Sequence, residues 1–215
     1  MKKLKALIRL LANPRHLAAL LSYKHKGYLA TIGWFTAFDS HQAVDANNQP
    51  IPWVTYSFID FIKDKLNKNL TIFEYGSGNS TLFYAKRAKR VVSVEHDKAW
   101  YNKIINEKAT NAEIIFVELK PDGEYSRKAK LLNEKFDIII VDGRDRINCC
   151  KHSVEALSEN GVLILDDSER ENYEGARTFL KTQGFKELSF SGISPGLFYN
   201  KATSVFYKAD NCLDI

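Results

Sequence analysis

The chain has 215 residues, 45% hydrophobic and 27% charged, enough for one domain with a large core and unlike a fibrous or disordered sequence. No apolar run approaches the roughly 18–20 residues of a membrane-crossing helix. The three cysteines include one adjacent pair and build no disulfide framework, which points to a reducing cytoplasm. The net charge of +5 sits at one end: residues 1–38 hold seven Lys/Arg and no acid, and the other 177 hold 24 basic and 26 acidic side chains.

Leu4, Leu7, Ile8 and Leu11 share a helical face over residues 2–12, and Asn13-Pro14 ends that pattern. A second helical pattern runs from about Arg15 to Lys26 and stops at Gly27. Arg9 and Pro14-Arg15 interrupt the apolar segment that a signal peptide would need, whereas a basic, acid-free, amphipathic transit peptide fits the same residues. These helices pack on the domain, or residues 1–28 touch an anionic membrane or a partner at its inner face. Residues 31–53 read as an ordered aromatic loop. The boundaries are therefore a helical extension with that loop at 1–54 and a ligand-binding domain at 55–215.

A helix is predicted from Thr55 to about Leu66, with Thr55 or Ser57 as its cap. Strands and helices then alternate. The strands are Leu70–Tyr75, Val91–Glu95, Glu113–Glu118, Phe136–Asp142 and Gly161–Asp166. The helices are Ser80–Lys89, Lys98–Lys108, Tyr125–Asn133, Asn148–Ser158 and Tyr173–Gln183. Runs such as Ile138-Ile139-Ile140-Val141 are apolar on both faces, as strands covered by helices on each side must be. This is an α/β, Rossmann-like, doubly wound sheet with right-handed crossovers. Phe185–Ser191 and Thr203–Lys208 alternate at period two with no helix between them, so they form a C-terminal antiparallel hairpin. The sheet then has about seven strands.

The first strand leads into Phe73-Glu74-Tyr75-Gly76-Ser77-Gly78-Asn79-Ser80-Thr81. It lacks the lysine of a triphosphate loop, and Thr81 stands where a dinucleotide turn wants a third small residue. Glu74 at the strand tip would repel a pyrophosphate but suits an ammonium beside a sulfonium. The amides of Gly76–Asn79 at a helix start suit that ligand's carboxylate. An amino-acid zwitterion with adenosine attached, S-adenosylmethionine (SAM), matches both. Glu95, 21 residues after Glu74, closes the second strand at the spacing of a ribose-binding acid. Asp97 is placed to cap the next helix, and His96 is read as a cofactor-edge or packing residue. Trp53 and Tyr56 wall the cleft.

These residues resemble the class I SAM-dependent methyltransferases. Glu74, Gly76, Ser77, Gly78, Asn79 and Ser80 match the cofactor turn of that family, although Gly is usual where Ser80 stands. Glu95 matches its ribose-binding acid, and the hairpin after a fifth strand is its topology. The resemblance covers about Thr55–Lys208. With Gly33-Trp34-Phe35, Pro52-Trp53-Val54-Thr55-Tyr56 and Val94-Glu95-His96-Asp97 included, nearly the whole chain is similar to a bacterial set of such proteins that brings no known acceptor.

Asp142 ends the fourth strand and Asp166-Asp167 the fifth, on the edge where open α/β sheets bind ligands. The pattern is similar to catechol- and macrocin-type O-methyltransferases. That resemblance implies a Mg²⁺ or other divalent ion on Asp142, Asp166 and Asp167 that would lower the pKa of an acceptor hydroxyl. Asp142 and Asp166 are then the catalytic candidates, and Asp142 also faces the cofactor. The alternative is that Asp166 or Asp167 caps a helix. Arg144 and Arg146 either neutralise an acidic substrate or tie these acids together. The function expected is methyl transfer to an oxygen of a small polyhydroxylated acceptor, a glycan or metabolite. The rival is a non-catalytic SAM-fold protein docked by its basic N-terminus. Nucleic acid fits less well, because Asp142-Gly143-Arg144 lacks the [N/D]-P-P-Y turn of exocyclic-amine enzymes and Cys149 follows Asn148 rather than a proline.

Overall fold

The computed structural model describes Lys5 and residues 9–215. Most of the helix predicted over 2–12 therefore lies outside the described residues, and residues 9–11 are helical. Three helices follow: α1 (Pro14–Ser22), α2 (Tyr28–Thr31) and α3 (Trp34–Ser40). The expected loop at 31–53 thus contains a helix. Trp34 and Ala37 are buried one turn apart on α3, while Trp34 stacks on Phe38 at 5.2 Å. That spacing is helical, and the aromatic content hid it.

Helix α4 (Tyr56–Lys63) buries Tyr56, Phe58, Ile59 and Ile62. Its first turn has no side-chain cap; the Thr55 hydroxyl donates instead to the Phe190 carbonyl at 3.0 Å. The alternating body is β1 (Thr71–Tyr75), α5 (Asn79–Arg87), β2 (Arg90–Glu95), α6 (Lys98–Ile104), β3 (Ala112–Phe116), α7 (Glu124–Leu131), β4 (Phe136–Val141), α8 (Arg146–Ser153), β5 (Leu157–Asp166) and α9 (Glu174–Thr182). The hairpin β6 (Lys186–Gly192) and β7 (Lys201–Tyr207) ends the sheet.

The seven strands lie in the order β3-β2-β1-β4-β5-β7-β6. All neighbours are parallel except β5 with β7 and β7 with β6, which are antiparallel. Two apolar cores fill the faces. One joins Ile72, Ile138 and Ile140 to Phe58, Ile62 and Tyr84; the other joins Phe73, Ile139 and Leu163 to Tyr125, Cys149 and Leu180. Alternate residues of one strand thus serve opposite cores, and each fully buried Ile or Phe contributes about 1.5–3 kcal/mol. Trp34, Ala43, Ile51 and Val54 belong to the first core, so residues before 55 share the core of the sheet.

Helix α8 ends five residues before its predicted end, at Ser153. A 3₁₀ turn at Val154–Ala156 leads directly into β5. The β4–β5 pairing jumps from Phe136↔Leu157 to Ile138↔Val162, a bulge that takes up the Glu159-Asn160-Gly161 stretch and leaves its two polar residues exposed. The topology matters most at β1 and β4. The chain leaves β1 for β2 and β3, then returns to its other side, which opens a crevice at the carboxyl ends of these two strands.

Candidate functional site

That crevice is a cavity of about 820 Å³ lined by the Gly76–Thr81 turn, Glu74, Glu95, His96, Asp142 and Arg144, together with Trp53 and His41. Its floor is the turn after β1, where Gly76 adopts φ +97°, a conformation that other residues rarely reach. Not all its amides are free. Gly76 N–H donates to the Val94 carbonyl at 2.9 Å, and Gly78 N–H donates to the Thr81 hydroxyl at 3.0 Å. The expected anion cradle of Gly76–Asn79 narrows to Ser77 and Asn79, joined by Ser80 in the first turn of α5. The opening of a helix leaves such amides without internal acceptors.

Thr81 also explains why no third glycine is needed. Its hydroxyl donates to Glu74 Oε2 at 2.6 Å, and the Ser93 hydroxyl donates to the same oxygen at 2.8 Å. Glu74 is only 1% exposed, so it forms the base of the turn and not a free lip. Burial pushes its pKa up to about 7 against these hydroxyl bonds, with the Glu95 charge adding to the rise.

Glu95 is bound at both oxygens. Oε1 accepts from the amides of His96 and Asp97 at 2.7 and 2.8 Å, and Oε2 accepts from the Ser77 hydroxyl at 2.7 Å. The cap of α6 is Asp97, which accepts from Trp100 N–H at 2.9 Å. Glu95 therefore braces two loops and presents one hydroxyl-bonded oxygen to the cavity, the pattern a ribose diol would take over. His96 lines the cavity and meets Tyr125 edge-on at 5.6 Å. Its Nδ1 lies 3.1 Å from Glu95 Oε1 but makes no hydrogen bond there; the contact is a close approach without donor alignment.

The three strand-end acids part company. Asp142 lines the cavity, with its side chain 26% exposed. Asp166 and Asp167 are buried behind it. Lys201 Nζ lies 2.7 Å from Asp166 Oδ2 and 3.0 Å from Asp167 Oδ1. The Thr203 hydroxyl donates to Asp166 Oδ1 at 2.7 Å. Arg146 reaches Asp142 Oδ1 at 3.0 Å and Asp167 Oδ2 at 3.2 Å, and donates to the Asp166 carbonyl. Neither Asp166 nor Asp167 caps a helix. Among the described residues no group of three metal-ligating side chains is assembled.

A divalent ion on Asp142, Asp166 and Asp167 does not fit this donor set, because a lysine ammonium and an arginine guanidinium already stand among the oxygens. That corrects the metal expectation. It also moves Asp166 from catalytic candidate to a support for Asp142, since it does not reach the cavity. Burial and the neighbouring Asp166 raise the pKa of Asp142, while Arg146 and Lys201 oppose the rise. Arg146 is the tie between strand ends; Arg144 is exposed on the cavity wall.

Gly143 follows Asp142 and passes under Tyr125. A Cβ at this position would sit 2.0 Å from the Tyr125 hydroxyl oxygen and 3.1 Å from Gly76 N. Gly143→Ala is expected to cost about 1–3 kcal/mol in a denaturant melt. Tyr125→Phe should recover part of that loss by removing an oxygen that is itself buried without a partner; no recovery would place the strain at the Gly76 backbone instead.

No protein-family profile matches the chain, and no curated protein matches it in sequence. Solved structures do match its fold. A methyltransferase-like protein from Silicibacter pomeroyi is 22% identical with a TM-score of 0.53, over 74% of this chain and 89% of its own. A precorrin-6y C5,15-methyltransferase from Geobacter metallireducens is 16% identical with a TM-score of 0.51, over 80% and 96%. A Klebsiella pneumoniae protein proposed to be an O-methyltransferase is 14% identical with a TM-score of 0.53, over 88% and 94%.

The fold is that of the class I SAM-dependent methyltransferases.

Within this methyltransferase fold, several residues and contacts of the site escaped the sequence reading. Lys201 is the chief one. With Thr203 it lies on one face of β7, and β7 pairs Thr203 with Asp166, so a period-two reading begun two residues earlier would have found it. Asn79 Nδ2 donates to the Ala43 carbonyl at 2.8 Å, pulling the 41–53 loop over the cavity. Trp100 Nε1 donates to the Ser77 carbonyl at 2.8 Å and covers Gly78. Trp53 stands on the cavity wall as expected, held by its indole N–H to the Pro195 carbonyl at 2.8 Å. Tyr56 is instead buried in the core with its hydroxyl unpartnered.

Proposed function

We propose that the chain is a SAM-dependent methyltransferase acting on an oxygen of a small polyhydroxylated acceptor, a glycan or metabolite, with a built-in cation pair in place of a metal. The observation that carries this is Asp142, a carboxylate that lines the same cavity as the Gly76–Thr81 turn and Glu95. When bound, SAM supplies a methyl group already activated by its sulfonium.

The chain's own groups do the rest by positioning. The Ser77, Asn79 and Ser80 amides receive a carboxylate at the positive end of α5. Glu95 takes the ribose hydroxyls, and Glu74, when ionised, supplies the negative charge that an ammonium needs. Arg146 holds Asp142 Oδ1, which leaves Oδ2 to accept the proton of the acceptor hydroxyl as that oxygen attacks. Lys201 and Arg146 keep charge balanced behind it. This supports general-base catalysis and argues that chelators leave turnover intact.

Glu74 makes the cofactor half testable. A carboxyl with a pKa near 7 is about one-tenth ionised at pH 6 and half ionised at pH 7. Calorimetry with S-adenosylhomocysteine should therefore show roughly fivefold tighter binding at pH 7 than at pH 6, flattened in Glu74→Gln. Methyl transfer from labelled SAM to a polyol and glycan panel should vanish in Asp142→Asn while binding persists. Absence of binding by the wild type at any pH sinks the whole reading; binding with turnover undiminished in Asp142→Asn sinks the base.

A further inference from the structure

Helix α1 buries none of its residues. Leu17, Leu20 and Leu21 fall at i, i+3 and i+4 on one face, and Leu20 and Leu21 are 51% and 65% exposed. Arg15, Lys24 and Lys26 around them are exposed too, in a stretch where residues 1–38 contain seven Lys/Arg and no acid. A helix does not leave an apolar stripe in water without cost, and each uncovered Leu forgoes burial that the core supplies elsewhere.

A second apolar surface lies on the β6–β7 loop. Phe198 is 73% exposed, and its ring meets Phe38 at 5.3 Å and Trp34 at 4.9 Å. The Trp34 indole N–H donates to the Leu197 carbonyl at 3.0 Å and that of Trp53 to the Pro195 carbonyl at 2.8 Å. Two indoles thus pin the β6–β7 loop so that it offers an aromatic side chain to solvent, and one of them, Trp53, also lines the cavity.

We infer that α1 docks the protein on an anionic lipid bilayer, with the Phe198 rim as a second point of contact. Leucines on one helix face with Lys/Arg around them are the chemistry of an interfacial helix, and exposed aromatic rings are favoured at the same interface. A nucleic-acid backbone would satisfy the cations and leave the leucines wet. A second copy would offer a body carrying 24 basic and 26 acidic side chains, a weak counter-charge for a cationic arm. Among the described residues no helix is long and apolar enough to cross a membrane, so the attachment is peripheral. Docking through α1 is independent of which acceptor is methylated.

The test is co-sedimentation of the full chain with phosphatidylcholine vesicles containing about one part in four phosphatidylglycerol. Binding should be at least about tenfold weaker on phosphatidylcholine alone and should fall as salt rises. The double variant L20E/L21E should bind the anionic vesicles at least about tenfold more weakly, with S-adenosylhomocysteine binding unchanged as a check on the fold. Phe198→Ser should weaken vesicle binding at least about threefold; unchanged binding there overturns the rim as a membrane contact. Failure to sediment, or sedimentation indifferent to L20E/L21E, overturns the docking. Retention on homopolymeric RNA that L20E/L21E leaves intact, without vesicle binding, reassigns the arm to nucleic acid. A dimer in analytical ultracentrifugation that L20E/L21E dissociates reassigns the face to a second copy.

Discussion

Replacing Lys201 by Met is expected to lower stability by about 3–5 kcal/mol, because it strands buried carboxylates. Lys201 is 4% exposed and Asp166 1%. The ammonium donates to Asp166 Oδ2 at 2.7 Å and to the Trp53 carbonyl at 3.2 Å, and sits 3.0 Å from Asp167 Oδ1. Arg146 remains at 3.8 Å from Asp166 and 3.2 Å from Asp167, which places the expected loss toward the lower end. For a chain of this size each kcal/mol moves the midpoint by about 2–4 °C, so a thermal melt should shift by roughly 6–20 °C.

The pH dependence of that loss has a definite sign. Burial lowers the Lys201 pKa, but Asp166, Asp142 and Asp167 together outweigh it and hold the value above the ordinary 10.5. The stabilisation is therefore complete below pH 10.5 and fades only as pH climbs through the folded-state value. Adding Asp166→Asn to Lys201→Met should restore a substantial part of the midpoint, since the stranded charge is gone. A melt unchanged in Lys201→Met would mean that the ammonium does not hold the strand ends together.

Glu95→Ala is expected to weaken S-adenosylhomocysteine binding about a hundredfold. Charge-assisted hydrogen bonds are worth about 1.5–3 kcal/mol each, and every 1.4 kcal/mol is tenfold in affinity. Two losses combine in this variant. The ribose hydroxyls lose their acceptor, and the turn loses the bonds from Ser77, His96 and Asp97 that shape the cavity wall. Glu95→Gln separates them, because its carbonyl oxygen can still accept the two amides while the charge is gone. Titration calorimetry checks both. A loss under about threefold in Glu95→Ala would leave Glu95 as a brace and remove it from cofactor binding.

The sequence was most legible where a local pattern has a local cause. Ile138–Val141 could only be a strand covered on both sides, and the Glu74–Thr81 stretch could only be a tight turn opening a helix. Helix ends were less legible. Asn148–Ser158 carries a helical pattern, yet its last residues form a 3₁₀ turn at Val154–Ala156 and the start of β5, where Leu157 pairs with Phe136 of β4. Glu74 shows the same limit at the site. Its carboxylate was correctly placed at the tip of β1, but only packing reveals that Thr81 and Ser93 hold it down and that burial raises its pKa to about 7.

By itself the sequence determined the α/β alternation, the terminal hairpin, the glycine turn, the acid that closes β2 and the row of carboxylates at the strand ends. Each depends on residues within one element or one turn, where spacing and side-chain chemistry suffice. The tertiary structure decided what neutralises those carboxylates. Lys201 meets Asp166 across 35 residues of chain, Asn79 grips Ala43 across 36, and Trp53 holds Pro195 across 142. A buried acid must find a counter-charge somewhere, and whether a metal or an ammonium fills that need depends on which strand the fold lays beside it.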